Sequence, residues 1–457
     1  MKKKEIIQLH IDDLAFGGRG VAHHEGKVVF VDGALPEDTV EAIILRNKQA
    51  FAEAKTIQVL NPSPYRINPV CMHFDICGGC KWQNYQYDMQ LKYKEDQVRE
   101  HLIRIGGIEN PPIEKIIAAR KSYFYRNKME FSFHQDRDGS LLLGMHRAGF
   151  FDRVFDIEEC HLQSKQSNEI VKFVRDECKR LELPAYHIKN HEGLMRFLVV
   201  RHGKFTDETL VNIVTGGQYE GYEDKIIGMG QDLAAKVEGI SSVIWTINTR
   251  KANIAQADML PPMLDGGVIY GRDHIYEKLN EYKFKISADS FFQTNSYQAQ
   301  LLYDTVIEFA GFSPTDKVCD LYCGTGTIAL YISGMVKSVL GVESVENSVK
   351  DAEVNAELNG VKNVEFIAGK VEDMIAELGQ FDKLIIDPPR AGIHPKALKG
   401  IMANSPKVIV YVSCNPATLA RDIAELTQAG YRLERTVAVD MFPHTYHIES
   451  VSKLIRD

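Results

Sequence analysis

The chain has 457 residues, 44% hydrophobic and 25% charged, with a formal net charge of −8. These are the values of an ordinary globular protein long enough for about three domains. No apolar run approaches the ~20 residues of a membrane span, and the acidity excludes a general nucleic-acid coat, so any RNA site must be a local basic surface. Met1 to Ile7 include no long apolar segment of the signal-peptide kind. The expected location is the cytoplasm, as a monomer without a membrane partner. There the eight cysteines stay reduced and serve metal binding or catalysis.

Residues 1–62 predict a small OB-like β-barrel. Ile6 to Ile11, Lys27 to Val31, Thr39 to Leu45 and Ala52 to Val59 are β-rich runs, separated by glycine turns at Gly17-Gly18-Arg19-Gly20, Glu25-Gly26 and Asp32-Gly33. Short strands at this spacing suit a barrel of the kind that binds oligonucleotides. The run Leu14 to Ala22, followed by a strand and Gly33-Ala34-Leu35-Pro36-Glu37-Asp38, resembles the TRAM domain, an RNA-binding module. Asn61-Pro62-Ser63-Pro64 reads as a linker.

Residues 63–282 predict a central α+β domain. It opens with Cys71, Cys77 and Cys80, with Gly78 and Gly79 inside the close pair. Thiolates this near, on a loop that glycines allow to curl, suit a metal centre, and Cys160 is the available fourth ligand. Four cysteines fit a [4Fe–4S] cluster or structural zinc. Cys178, in a predicted amphipathic helix, is assigned to the core. Tyr87 to Ile105 predicts a long helix ended by Gly106-Gly107. Arg120 to Lys128 interleaves basic and aromatic side chains, the composition that holds single-stranded RNA by phosphate contact and stacking; a half-buried edge strand is the alternative.

From residue 283 onward, alternating strands and helices predict a Rossmann-like domain. Lys317 to Thr327 is a strand ending in a glycine loop that opens a helix, a place for a ligand at the helix amino terminus. The strand Ser338 to Val342 ends in Glu343, about 20 residues beyond, where an acidic side chain binds ribose hydroxyls. Without the three glycines of the dinucleotide fingerprint, NAD is disfavoured. Cys319 and Cys323 are assigned to packing. Asp387 ends an apolar strand before Pro388-Pro389-Arg390. Methyltransferases acting on exocyclic amines usually carry an aromatic residue at the position of Arg390, which disfavours that chemistry. Val408 to Tyr411 predicts a buried parallel strand, leaving Cys414 on a tight loop at its carboxyl end, with the next helix starting near Thr418. On these residues alone Cys414 is either a nucleophile or a core thiol.

The motifs DLYCGTGTIAL, IDPPR, VSCNPATLARD, SFFQTN (Ser290 to Asn295) and HTYHIES (His444 to Ser450) together resemble the uracil-5 RNA methyltransferases, most closely the branch acting on 23S ribosomal RNA. Members acting on tRNA typically lack the barrel and the cysteine cluster, which makes a tRNA enzyme the alternative; a non-catalytic RNA-binding protein on the same fold is another. The resemblance implies a [4Fe–4S] cluster on Cys71, Cys77, Cys80 and Cys160, with zinc as the alternative. It implies S-adenosylmethionine bound by Gln293, Tyr322, Glu343 and Asp387. It also implies Cys414 as the nucleophile that adds to uracil C6, Glu449 as the base that removes the C5 proton, and Phe291 as a stacking partner for the base. His444 and His447 are expected to be structural.

Overall fold

The computed structural model describes residues 1–136 and 138–456. Residues 6–61 form a six-stranded sheet in the order Ile6–His10, Thr39–Asn47, Phe51–Asn61, Lys27–Asp32, Arg19–His24, Asp13–Ala15. Alternate side chains of the long strands point inward, so Val40, Ala42 and Ile44 meet Val29, Val31, Ala52 and Ala54 in one small core. The first strand also approaches Arg19–His24, near the far edge, as the sheet rolls up. The glycine-rich run after Leu14 is therefore more than a turn: its flanks pair as the hairpin Asp13–Ala15/Arg19–His24.

A seven-stranded sheet built from Lys128–Gln135, Leu141–His146, Val154–Asp156, Met195–His202, Thr209–Thr215, Ile240–Ile247 and Val268–Gly271 forms the centre of the chain. Its one parallel pair, Thr209–Thr215 with Ile240–Ile247, is bridged by the helix Glu223–Lys236, which with Lys165–Arg180 covers the sheet. Cys178 is buried there, as expected.

The third sheet has eight strands in the order Val364–Ala368, Ser338–Glu343, Lys317–Leu321, Lys383–Ile386, Val408–Ser413, Glu449–Ile455, Arg432–Val439, Ile113–Ile117. The first five are parallel and nearly all apolar, the pattern of strands covered on both faces. Glu449–Ile455 then runs antiparallel to both its neighbours. Ile113–Ile117 completes the edge, and the helix Tyr87–Arg104 packs on the helix Pro416–Gln428. Residues 87–117 thus pack with the third sheet rather than within the central domain expected over 63–282. Short amphipathic elements carry no signal of which distant sheet they join.

The helix after Cys414 also begins earlier than the expected Thr418. Asn415 is its N-cap, its Oδ1 accepting the Ala417 N–H at 3.1 Å, and Pro416 occupies the first turn, where its missing N–H costs nothing.

Candidate active site

The carboxyl ends of the parallel strands open onto a cavity of about 860 Å³. The glycine loop forms one wall. Tyr322 takes a left-handed φ of 65°, as do Gly324 at 56° and Gly326 at 75°. A side chain on Gly326 would stand 2.6 Å from the Phe366 ring, so only glycine lets the loop lie against the sheet. Glu343 braces the loop: its Oε2 accepts the Gly324 N–H at 3.2 Å while Oε1 accepts the Val345 N–H at 2.9 Å. Gln293 reaches the cavity from the segment before the helix Ser296–Ala310, a segment pinned by Asn127 Nδ2, which donates to the Gln293 carbonyl at 2.8 Å. Phe291 lines the mouth and is 63% exposed.

The opposite wall holds Asp387, Arg390, Cys414 and Glu449. Ser413 pairs with Ser450 in the antiparallel register, so continuing the ladder by one residue sets Cys414 against Glu449. Burial pushes the Asp387 carboxyl up to about 7. Burial, followed by the Asp387 charge, raises Glu449 well above the carboxylate range, with Arg390 opposing. Burial also pushes the Cys414 thiol up to about 11; Glu449 and Asp387 add to the rise and Arg390 counters it. The six residues expected to bind cofactor or act on the base, Gln293, Tyr322, Glu343, Asp387, Cys414 and Glu449, all line this one cavity.

Asp320, near the end of the strand that leads into the glycine loop, is wholly buried yet lines the same cavity, and burial with the charges of Asp387 and Glu343 holds its carboxyl well above the usual range. Phe442 is a second cavity residue that the sequence reading missed. It lies in an irregular segment with no periodicity to reveal which way it faces.

That segment, 440–447, is clamped from several directions. Lys94 and Asp440 form a fully buried ion pair at 2.6 Å, and Lys94 Nζ also donates to the Phe442 carbonyl at 3.1 Å. Tyr125 Oη donates to the Pro443 carbonyl at 3.1 Å, and the Lys81 and Trp82 N–H groups both donate to the His444 carbonyl. His444 is buried with a left-handed φ of 64° and stacks on Tyr123 at 4.4 Å. His447 Nδ1 accepts from Arg390 Nη2 at 3.1 Å. The basic-aromatic stretch 120–128 therefore divides. Arg120 and Lys121 are exposed, although both also bond to the helix Ser296–Ala310, whereas Tyr125 and Asn127 are buried and bond to Pro443 and Ser296.

Cys71, Cys77, Cys80 and Cys160 are half-buried and unbonded to one another. Gln83 links two of them, Oε1 accepting the Cys71 N–H at 3.0 Å and Nε2 donating to Cys80 Sγ at 3.3 Å; the Gly79 N–H donates to Cys77 Sγ. Burial pushes Cys77 up to about 11 and Cys80 to about 12, and each also feels the charge of Cys160. Among the described residues, no three His, Cys, Asp or Glu side chains converge as a single metal ion requires. Nor is any helix long and apolar enough to cross a membrane. Cys319 and Cys323 are buried, as expected.

The class of protein is given by the glycine loop, the acidic strand ends and the strand-end thiol in one cavity: a class I methyltransferase fold with a cysteine beside its ligand site. A TRAM-domain family matches residues 2–57, and the family described as tRNA (Uracil-5-)-methyltransferase matches residues 263–457. A protein of Porphyromonas gingivalis described as an uncharacterized RNA methyltransferase is 39% identical over 98% of this chain and 100% of its own length. One of the same description from Caldanaerobacter subterraneus subsp. tengcongensis is 39% identical over 99% of both chains. Among solved structures, the tRNA (uracil-54, C5)-methyltransferase of Pyrococcus abyssi, in complex with S-adenosyl-L-homocysteine, has a TM-score of 0.77 at 30% identity, covering 98% of this chain and 100% of that one.

The chain belongs to the uracil-5 RNA methyltransferase family and is an S-adenosylmethionine-dependent RNA methyltransferase. One expectation needs correction. A barrel does not by itself separate ribosomal from transfer RNA enzymes, because a neighbour named for tRNA covers 98% of this chain.

Proposed function

We propose that the protein methylates C5 of a uridine in 23S ribosomal RNA, with Cys414 as nucleophile and Glu449 as base. The observation that carries this reading is the strand register that sets these two side chains against each other beside the glycine loop. Uracil C5 is a poor nucleophile until a thiolate adds at C6 and turns the ring into an enolate. Cys414 Sγ forms that bond, the two ring electrons shifting toward O4. S-adenosylmethionine would supply an electrophilic methyl group on a sulfonium; C5 takes it as the S–CH3 bond breaks, its electron pair staying on sulfur to leave the neutral thioether. Glu449 then removes the C5 proton, the C5–C6 double bond re-forms, and the bond to Cys414 breaks. A carboxyl whose pKa is raised by burial is a stronger base than one in water, which suits this step. Gln293, Tyr322, Glu343 and Asp387 hold the cofactor, and Phe291 stacks on a uridine that has left its helix.

In this reading Cys71, Cys77, Cys80 and Cys160 would hold a [4Fe–4S] cluster, four thiolates being the donor set such a cluster takes. Bound there, it would join the loop before Trp82 to the segment after the strand Val154–Asp156. Protein purified without oxygen is expected to be brown and to contain iron; a colourless, zinc-bearing protein returns the zinc alternative.

Transfer RNA is the second reading, favoured by the full-length likeness to the Pyrococcus abyssi enzyme. Mass mapping of 5-methyluridine in both RNAs from a strain lacking the gene separates them. Loss from 23S RNA alone supports the first reading; loss from tRNA alone overturns it.

A further inference from the structure

Phe16 lies in the turn between the barrel strands Asp13–Ala15 and Arg19–His24 and is 40% exposed. The barrel core does not use it, and the turn does not leave it loose. Gly17 and Gly18 curl back with φ of 98° and 80°, and a side chain on Gly18 would meet Trp82 Nε1 at 3.3 Å. The turn is therefore seated on the body of the protein, and Phe16 is held where it stands.

Its ring meets Tyr446 edge-on, centroids 6.2 Å apart at 82°. Tyr446 lies over His447 at 4.3 Å, and His447 meets Phe442 at 5.9 Å. Phe442 lines the cavity that contains Cys414. Two guanidiniums flank the run: Arg390 donates to His447 at 3.1 Å, and Arg126 lies 5.9 Å from the Phe442 ring. A continuous succession of rings thus leads from the barrel to the active site.

We propose that this run is a stacking platform for the nucleotides adjoining the target uridine in single-stranded RNA, so that the barrel contributes a base contact to the active site itself. The inference rests on the uracil-5 reading. Extruding one uridine strips its neighbours of a stacking partner. Aromatic faces restore that stacking whatever the base, and guanidiniums beside them neutralise the phosphates between. Continuity with the catalytic cavity identifies RNA as the occupant.

The test uses the full chain and two readouts, anisotropy of a labelled single-stranded oligouridine and methylation kinetics on ribosomal and transfer RNA from a strain lacking the gene. Phe16→Ala is expected to weaken oligouridine binding and raise the RNA KM about tenfold, with cofactor affinity unchanged. Phe16→Tyr restores both. Ile57→Ala, an exposed apolar barrel position outside the run, behaves as wild type. Wild-type KM and binding in Phe16→Ala, or an equal loss in Ile57→Ala, overturn the platform. Phe16-dependent binding without methylation of any uridine retains the platform and overturns the uracil-5 reading.

Discussion

Cys414, one residue past the strand Val408–Ser413, and Glu449, the first residue of the neighbouring strand, are separated in the chain by a helix and a further strand, and continuing the Ser413–Ser450 register by one residue carries them to facing positions. The carboxyl therefore acts on the thiol's ionisation, and a carboxylate beside a thiol works against forming the thiolate. Arg390 opposes that effect on both groups.

The first consequence is a pH dependence. The reactive form of Cys414 is the thiolate, and burial raises its thiol to about 11, so below that pH the reactive fraction grows as protons are removed. The kcat/KM for RNA should rise by up to about tenfold per pH unit from pH 6 to 8.5. In Arg390→Ala the profile should move to higher pH, because the cation that favours the thiolate is gone. A profile that falls across this range removes the thiolate from the rate-limiting steps.

Removing the sulfur separates chemistry from binding. Cys414→Ala should lower methylation by more than about a thousandfold while calorimetry finds cofactor affinity within twofold of wild type. Substantial residual methylation means another group activates the ring.

Glu449→Gln bears on mechanism and stability together. Without the base, the C5 proton stays and Cys414 cannot leave, so a protein–RNA adduct should persist through denaturing electrophoresis when cofactor is present. Free turnover by this variant assigns the proton to another group. For stability, the folded pKa of Glu449 is raised above its unfolded value. The native state thus binds more protons than the unfolded one, and stability falls as pH rises above about 4.3. Glutamine has nothing to ionise. The variant should melt higher than wild type at pH 7, with the gap closing as pH falls toward 4, as differential scanning calorimetry can follow.

Lys94 and Asp440 test the clamp on the segment 440–447. Both side chains are 0% exposed, and Tyr87 Oη also donates to Asp440 at 2.7 Å. Lys94→Ala leaves a carboxylate buried without its cation, at a cost of about 3–5 kcal/mol, measurable by urea unfolding. Because the segment carries Phe442 and leads into Glu449, methylation should fall with it. A change below about 1 kcal/mol means that water or another donor serves Asp440 instead.

Much of this protein was legible in its sequence because the signals were local. A glycine loop must follow a strand to lie against a cofactor, an acidic residue must end the next strand, and a short cysteine motif must sit at a strand end; each is a matter of a few neighbouring residues, and Glu343, Asp387 and Cys414 stand out that way as candidates, whereas Tyr322 came through its motif; all four line the cavity. Glu449 was reached only through its motif, since a glutamate near a chain end has no local mark of burial. Tertiary structure alone decided that residues 87–117 join the catalytic sheet and that Tyr125 points inward from a basic stretch. It alone brought Phe16 to Tyr446 across more than four hundred residues. Such pairings depend on which surfaces remain to be covered after the sheets have formed, and that is a property of the packed chain, not of any segment within it.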